Sequence, residues 1–265
     1  IKNEGRSFQI PVHWHDEFEI IYVRSGFLAV SISGESYIGK TGDAFVVSPG
    51  NLHLMGSQTG TVDYYTFLFP LKYISFRTDD MLDEKLLEPL NSGHLMICPR
   101  VKDTAKELCE QLIEIYEAKK DESESKITTQ VRTKIILLQF ILEMWKKGFV
   151  IENDTSGRNT VEKEMVSYIQ QNFTGKISLR EFGEQFHLSE KYISRYFKEH
   201  FHITLSQYVT YLRLEHAKQL LQDTDIPVTD VAMQSGYQNV SYFIRSFQKA
   251  YAVSPLKYRK NNYSR

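Results

Sequence analysis

The chain has 265 residues, 42% of them hydrophobic, with 14 Gly and 7 Pro: enough length and apolar material for two folded domains. Its net charge of −1 hides an asymmetry, with 18 Lys and Arg against 23 Asp and Glu up to residue 158 and 14 against 10 beyond it, so only the second part carries the mildly basic balance that suits phosphate contact. No apolar run approaches the roughly 18 residues of a membrane span. No signal-like segment opens the chain, and Cys98 and Cys109 are too few for a disulfide framework or a cysteine zinc site. These features predict a cytoplasmic protein with no membrane partner.

From Phe8 to about Phe69 the pattern is antiparallel β. Short β-branched and aromatic runs at Glu19–Val23, Phe27–Ile32, Ala44–Val47 and Tyr64–Phe69 are separated by Gly26, Gly34, Gly39, Gly42 and Pro49-Gly50. Within it lie His13-Trp-His15-Asp-Glu-Phe-Glu19, then Gly26, Gly42-Asp43 and Pro49-Gly-Asn-Leu-His53. That spacing resembles the two motifs of cupins, small jelly-roll barrels. A period of two puts His13, His15 and Glu19 on one strand face at a barrel mouth, with His53 arriving from a neighbouring strand. Imidazoles beside a carboxylate suit three uses: a divalent metal site of the Zn, Fe, Mn or Ni kind, polar recognition of a small effector such as a sugar, or bonding among themselves. Arg24 and Tyr37 are further candidate effector-binding residues, as are Trp14 and Tyr22, although Tyr22 shares the parity of Phe18 and Ile20 and so faces outward.

Two helices follow. Val101, Ala105, Leu108, Leu112, Ile115 and Tyr116 make one apolar stripe. Val131, Ile135, Leu138, Phe140, Leu142 and Trp145 belong to a second helix from about Ile127, with Lys119 to Ser125 as the turn. The consecutive Ile135-Ile-Leu-Leu138 makes the second helix too apolar for one buried face, which leaves a homodimer interface or packing under the barrel as its use. The domains expected are a barrel over 1–100, a helical pair over 101–150, a linker over 151–160 and a helical domain over 161–265.

In the last part the chain repeats itself. Tyr192 to Tyr208 returns fifty residues later as Tyr242 to Tyr258, with Arg195/Arg245, Phe197/Phe247, Phe201/Tyr251, Ile203/Val253 and Thr204/Ser254 in register. Each copy follows a shorter apolar helix and a tight turn. The first has Leu179, Phe182, Gly183 and Phe186 and then a cap at Ser189. The second has Val228, Val231 and Ala232, a turn glycine at Gly236, and Asn239 or Ser241 as cap. The repeated tyrosines and phenylalanines read as core. Leu205 to Gln222 reads as the helix between the copies, roughly 27 Å long at about 1.5 Å per residue.

The segment from Asp230 to Arg259 closely resembles the signature of AraC/XylS-type transcription regulators. The resemblance covers roughly the last hundred residues and departs from the family at His202 and Ala252, where glycine is usual, and at Leu205, where proline is usual. It implies an α+β protein of two domains, an N-terminal cupin-like jelly-roll barrel with two following helices and a C-terminal all-α double helix-turn-helix. It also implies that Lys191, Ser194 and Arg195 in one recognition helix, and Val240, Ser241, Ile244 and Arg245 in the other, face base edges of double-stranded promoter DNA. Arginine's planar fork matches guanine, and an aliphatic side chain meets a thymine methyl. RNA polymerase is implied as a further partner. The function expected is a small-molecule-controlled transcription regulator without enzymatic activity; the alternative is a metal-dependent cupin enzyme with a helical appendage.

Overall fold

The computed structural model describes residues 2–5, 8–57, 61–76, 80–118, 125–153, 160–201 and 203–263, and the chain divides into two units, 1–161 and 162–265. In the first, eight strands form two four-stranded antiparallel sheets. The strands are β1 (Lys2–Gly5), β2 (Phe8–His13), β3 (Phe18–Ser25), β4 (Phe27–Ile32), β5 (Glu35–Lys40), β6 (Ala44–Val47), β7 (His53–Ser57) and β8 (Val62–Phe69). Their orders are β1-β8-β3-β6 and β2-β7-β4-β5, so the chain passes from one sheet to the other between β2 and β3.

Strand β3 is buried over six successive residues, Phe18 to Val23. Alternation therefore sends side chains into two cores rather than into core and solvent. Ile21 and Val23 pack between the sheets with Leu28, Val30, Ile32, Phe45, Val47, Met55 and Tyr64. Phe18, Ile20 and Tyr22 pack on the other side against the helices. The turn into β4 needs a glycine, because Gly26 has φ +85° and a Cβ there would lie 2.4 Å from the Thr61 carbonyl.

The helical cover begins with a 3-10 turn at Leu71–Tyr73 and a π-helical stretch at Asp83–Leu87 that runs into α1 (Glu88–Asn91). Strand β9 (Leu95–Ile97) leads to α2 (Lys106–Ala118), and α3 (Lys126–Lys146) is capped by Ser125, whose hydroxyl accepts from the Thr128 N–H. Of the turn expected at 119–125, only Ser125 lies within the described residues. Strand β10 (Val150–Glu152) pairs antiparallel with β9 and ties the chain after α3 back to the strand between α1 and α2. Ile151 and Glu152, expected in a linker, are thus strand; 154–159 lie outside the described residues.

The second unit is all helix: α4 (Thr160–Asn172), α5 (Leu179–Phe186), α6 (Glu190–His200), α7 (Leu205–Asp223), α8 (Val228–Gln234), α9 (Val240–Tyr251) and α10 (Pro255–Tyr263). Side-chain caps set the register of each copy. Ser178 and Glu181 form a capping box on α5, Ser189 caps α6, Thr204 and Gln207 form a box on α7, and Asn239 rather than Ser241 caps α9. Within α5, a Cβ on Gly183 would lie 2.5 Å from the Leu188 carbonyl in the turn to α6. In the turn from α8 to α9, Gly236 has φ +83°, and its Cβ would lie 2.6 Å from the Thr174 carbonyl.

The guanidinium of Arg213, on α7, reaches the same place. Its Nε donates to the Phe173 carbonyl and its Nη2 to the Gly175 carbonyl, both at 2.7 Å. The chain between α4 and α5 is thereby fastened to the connecting helix beside the second turn.

Helix α9 ends on Ala252 at φ +60°, ψ 4°, where the Gln248 carbonyl accepts the capping N–H. A Cβ in this left-handed conformation costs roughly 1–2 kcal/mol, which glycine avoids. His202, the matching departure in the first copy, lies outside the described residues. Ala252→Gly is accordingly expected to stabilise the helical unit by about 1 kcal/mol despite the freer unfolded chain; thermal unfolding of the full chain, with no rise in Tm, would count against this reading of the cap.

Candidate functional site

The first exposed surface of interest is formed by α6 and α9. Phe197 and Phe243, Phe247 are fully buried, so the opposite edge of each helix faces solvent. On α6 that edge carries Lys191 and Arg195, both exposed, with Ser194 half-buried. On α9 it carries Ser241 and Arg245, both exposed, whereas Val240 and Ile244 are half-buried and pack on the core of the second copy. The two aliphatics thus give part of their surface to the fold.

Arg195 lies 3.9 Å from Glu199 with both side chains largely exposed. An exposed pair of this kind contributes about 0–1 kcal/mol, too little to withhold the guanidinium from a phosphate or a base. Its guanidinium also sits 5.8 Å from the Tyr192 ring centre, and that ring stacks on Tyr196. Tyr192 is 40% exposed and Tyr242 52%, which corrects the expectation that all the repeated aromatics are core. Phe197, Phe201, Tyr208 and Phe247 are core; the two tyrosines at the third position of each helix are not. Tyrosine carries a polar end, so helical spacing alone does not decide its burial.

The second candidate site is the end of the barrel where β2, β3 and β7 meet. His13 ends β2, Glu19 lies on β3 in the other sheet, and His15 sits in the bend between them, which corrects the expectation of one shared strand face. The bend brings them together nonetheless. His53 pairs with His13 across β2 and β7. Ring centres are 4.0 Å apart for His13 and His53, 4.9 Å for His15 and His53, and 5.9 Å for His13 and His15.

Glu19 faces inward at 3% exposure. Its Oε2 is 3.3 Å from His15 Nε2 and 3.0 Å from His53 Nε2. Burial alone would raise the carboxyl, but the contacts and charges of the two imidazoles outweigh it and hold Glu19 down at about 2. Burial lowers His13 to about 4, aided by His53. Burial also pulls at His15, but the hydrogen bond and charge of Glu19 overcome it and raise that group.

Two expected members stand apart. Arg24 shares the outward parity of Tyr22 and points to α2, where it donates to the Tyr65 hydroxyl at 3.0 Å and to Glu117 at 3.1 Å. Tyr22 does the same, donating to Glu110 at 2.5 Å. Tyr37 lies on β5, at the opposite edge of its sheet from β2; its ring packs on Phe45 and its hydroxyl donates to Glu35. A cleft of about 910 Å³ that the sequence did not disclose runs from Asp16, beside His15, along Pro70, Lys72, Phe76 and Asp83. One wall is a helical face, Asp83, Glu84, Leu87, Glu88 and Asn91 of the π-helical stretch and α1, and most of the rest comes from Asp16 and the segment from Pro70 to Phe76.

Comparison with known proteins gives the geometry a family. The family model described as AraC-like ligand binding domain matches residues 2–141, and that described as helix-turn-helix domain matches 182–261. The chain is 29% identical to the uncharacterized HTH-type transcriptional regulator YdeC of Bacillus subtilis strain 168, over 98% of this chain and 89% of that one. It is 24% identical to the melibiose operon regulatory protein of Escherichia coli strain K12, over 94% and 83%. Among solved structures it is similar to the C-terminal domain of the two-component response regulator yesN from Fusobacterium nucleatum, with 33% identity over 37% of this chain and 97% of that one and a TM-score of 0.37. With the ligand-binding model spanning more than half of its length, the chain belongs to the AraC family: it is a DNA-binding transcription regulator with an N-terminal ligand-binding domain.

Proposed function

We propose that the regulator reads an asymmetric operator through Lys191, Ser194 and Arg195 on α6 and Ser241 and Arg245 on α9, with Val240 and Ile244 offering their exposed edges to thymine methyls. The observation that carries this is the exposed arginine at the same position of both capped helices. The helices share a scaffold but differ at the flanking positions, so each half of the site is read differently. Such a protein acts in the cytoplasm, and RNA polymerase is its further partner at the promoter. Arg195→Ala and Arg245→Ala are each expected to weaken binding to the specific operator by about 1–3 kcal/mol while changing nonspecific binding far less. Fluorescence anisotropy at fixed salt measures both, and unchanged specific binding in the two variants would remove the base-reading assignment.

The effector, in this reading, engages the barrel end formed by His13, His15, Glu19 and His53. A sugar is one candidate, since the melibiose operon regulatory protein is a relative. His15→Ala combined with Glu19→Ala is expected to abolish the effector's influence on operator affinity and leave DNA binding itself intact; a double variant that still responds normally would move the effector elsewhere.

Helix α3 serves as a homodimer contact. Its inner face is buried through Ile136, Leu137, Phe140, Ile141 and Met144, while Ile127, Val131, Ile135, Leu142 and Trp145 recur at helical spacing on its exposed side. A second copy covers that stripe by symmetry. Ile135→Glu with Leu142→Glu is expected to convert the dimer to monomer in sedimentation velocity, with stability nearly unchanged because both residues are half exposed. A wild-type chain that sediments as a monomer at all concentrations contradicts the assignment.

A further inference from the structure

The cleft beside the barrel end is lined by charge of one sign. Among its described lining residues Asp16, Asp80, Asp83, Glu84 and Glu88 are acidic, and Lys72 alone is basic. None of the six forms an ion pair among the described residues. Glu84 and Glu88 lie one turn apart on the same helical face, an arrangement in which like charges repel and weaken the helix.

Two of the carboxylates serve the fold. Asp80 Oδ1 accepts from the Asp83 N–H at 2.9 Å, at the start of the helical wall, and Asp83 Oδ2 accepts from the Phe76 N–H at 3.2 Å, which draws the loop onto that wall. The side chains of Asp16, Glu84 and Glu88 have no such work, for no hydrogen bond engages them among the described residues. The second oxygen of Asp83 is buried without a hydrogen-bond partner. An acceptor in that position stays uncompensated until a donor or a positive charge reaches it. The wall it sits on is π-helical from Asp83 to Leu87, a rare geometry that recurs as single-turn insertions at functional sites.

Apolar surface completes the lining. Leu71 and Leu87 face the cleft from the core, whereas Phe76 and Met81 are 52% and 68% exposed beside the carboxylates. An aromatic face attracts a cation as well as an apolar body, and methionine adapts to irregular shapes. A bare metal ion or a simple ammonium would use the carboxylates and leave both side chains in water. At about 910 Å³ the cleft has the size of sites that enclose a drug-sized molecule.

We propose that this cleft binds an organic cation with an aromatic or branched apolar body, of the quaternary ammonium or phosphonium kind, with its charge among Asp16, Asp83, Glu84 and Glu88 and its body against Phe76 and Met81. Walls of one sign around a low-dielectric space concentrate such a counter-ion before contact. The site adjoins the barrel end through Asp16 and does not depend on the effector engaging the histidines there.

Isothermal titration calorimetry of the full-length chain with tetraphenylphosphonium tests this, with tetraphenylborate as a probe of the same shape and opposite charge. One tetraphenylphosphonium per chain is expected, bound more weakly as NaCl screens the carboxylates, and tetraphenylborate is expected to bind at least about tenfold more weakly. Glu84→Gln combined with Glu88→Gln keeps the shape of two exposed side chains and is expected to weaken the phosphonium by about tenfold or more. Phe76→Ala is expected to weaken it severalfold, while Glu114→Gln, exposed on α2 outside the cleft, leaves it unchanged. Circular dichroism confirms that each variant is folded. Folded wild-type protein with no saturable uptake, or a double variant that binds as well as wild type, would overturn the proposal. Equal binding of tetraphenylborate overturns it too, by making the cleft blind to charge, and tighter binding of spermidine or Ca²⁺ does so by making the carboxylates a site for hydrophilic cations.

Discussion

Strand β3 is buried on both faces, and the N-terminal unit is organised around that constraint. Its inward residues, Glu19, Ile21 and Val23, belong to the polar end and the filled interior of the barrel; its outward residues, Phe18, Ile20, Tyr22 and Arg24, belong to the layer beneath the helices. A strand open to water on one face can tilt or slide at little cost. One clamped between two cores cannot, because any shift opens voids on both sides. Glu19 is only three residues from Tyr22, about 10 Å along the strand, and Tyr22 is bonded to Glu110 of α2. Displacement of the carboxylate is therefore felt by the helices through a stiff element rather than through a loop.

The same constraint decides what could be read from the sequence. Phe27–Ile32 and Ala44–Val47 are legible as strands because β-branched and aromatic residues crowd them. The strands at Glu35–Lys40 and His53–Ser57 are not: the first is half polar with one solvent face, and the second contains Gly56 and Met55. The residues picked out by the histidine and glutamate spacing do meet, but across a bend between sheets rather than on one strand face. Arg24 was legible in principle, because it shares the parity that sends Tyr22 outward. Its charge invited a pocket, and its partner Glu117 lies 93 residues away in sequence.

The helical unit was more open to reading because it is written twice. Caps and core phenylalanines are local signals, and Ser189/Asn239 and Phe197/Phe247 recur at the same spacing of fifty residues. What the repeat concealed was the fate of its tyrosines: Tyr208 is sealed in the core while Tyr192 and Tyr242 stand at the surface. Repetition records that a residue type is retained, not whether the fold or its surface retains it.

Arg213 fastens the chain between α4 and α5 to the helix that leads to the second recognition element, and Gly236 lets the second turn press against Thr174. The two reading heads consequently behave as the jaws of a fixed caliper. B-DNA turns once in about 10–10.5 base pairs, so an operator that gains or loses half a turn between its two parts presents the second part on the far side of the duplex, beyond the reach of a caliper that cannot twist. On the proposed two-helix reading, promoters served by this protein drift in base sequence one step at a time, each change weakening the grip a little, whereas an insertion between the two half-sites breaks the joint grip: part of a turn rotates the second half-site away, and a whole turn carries it beyond the span of a single chain.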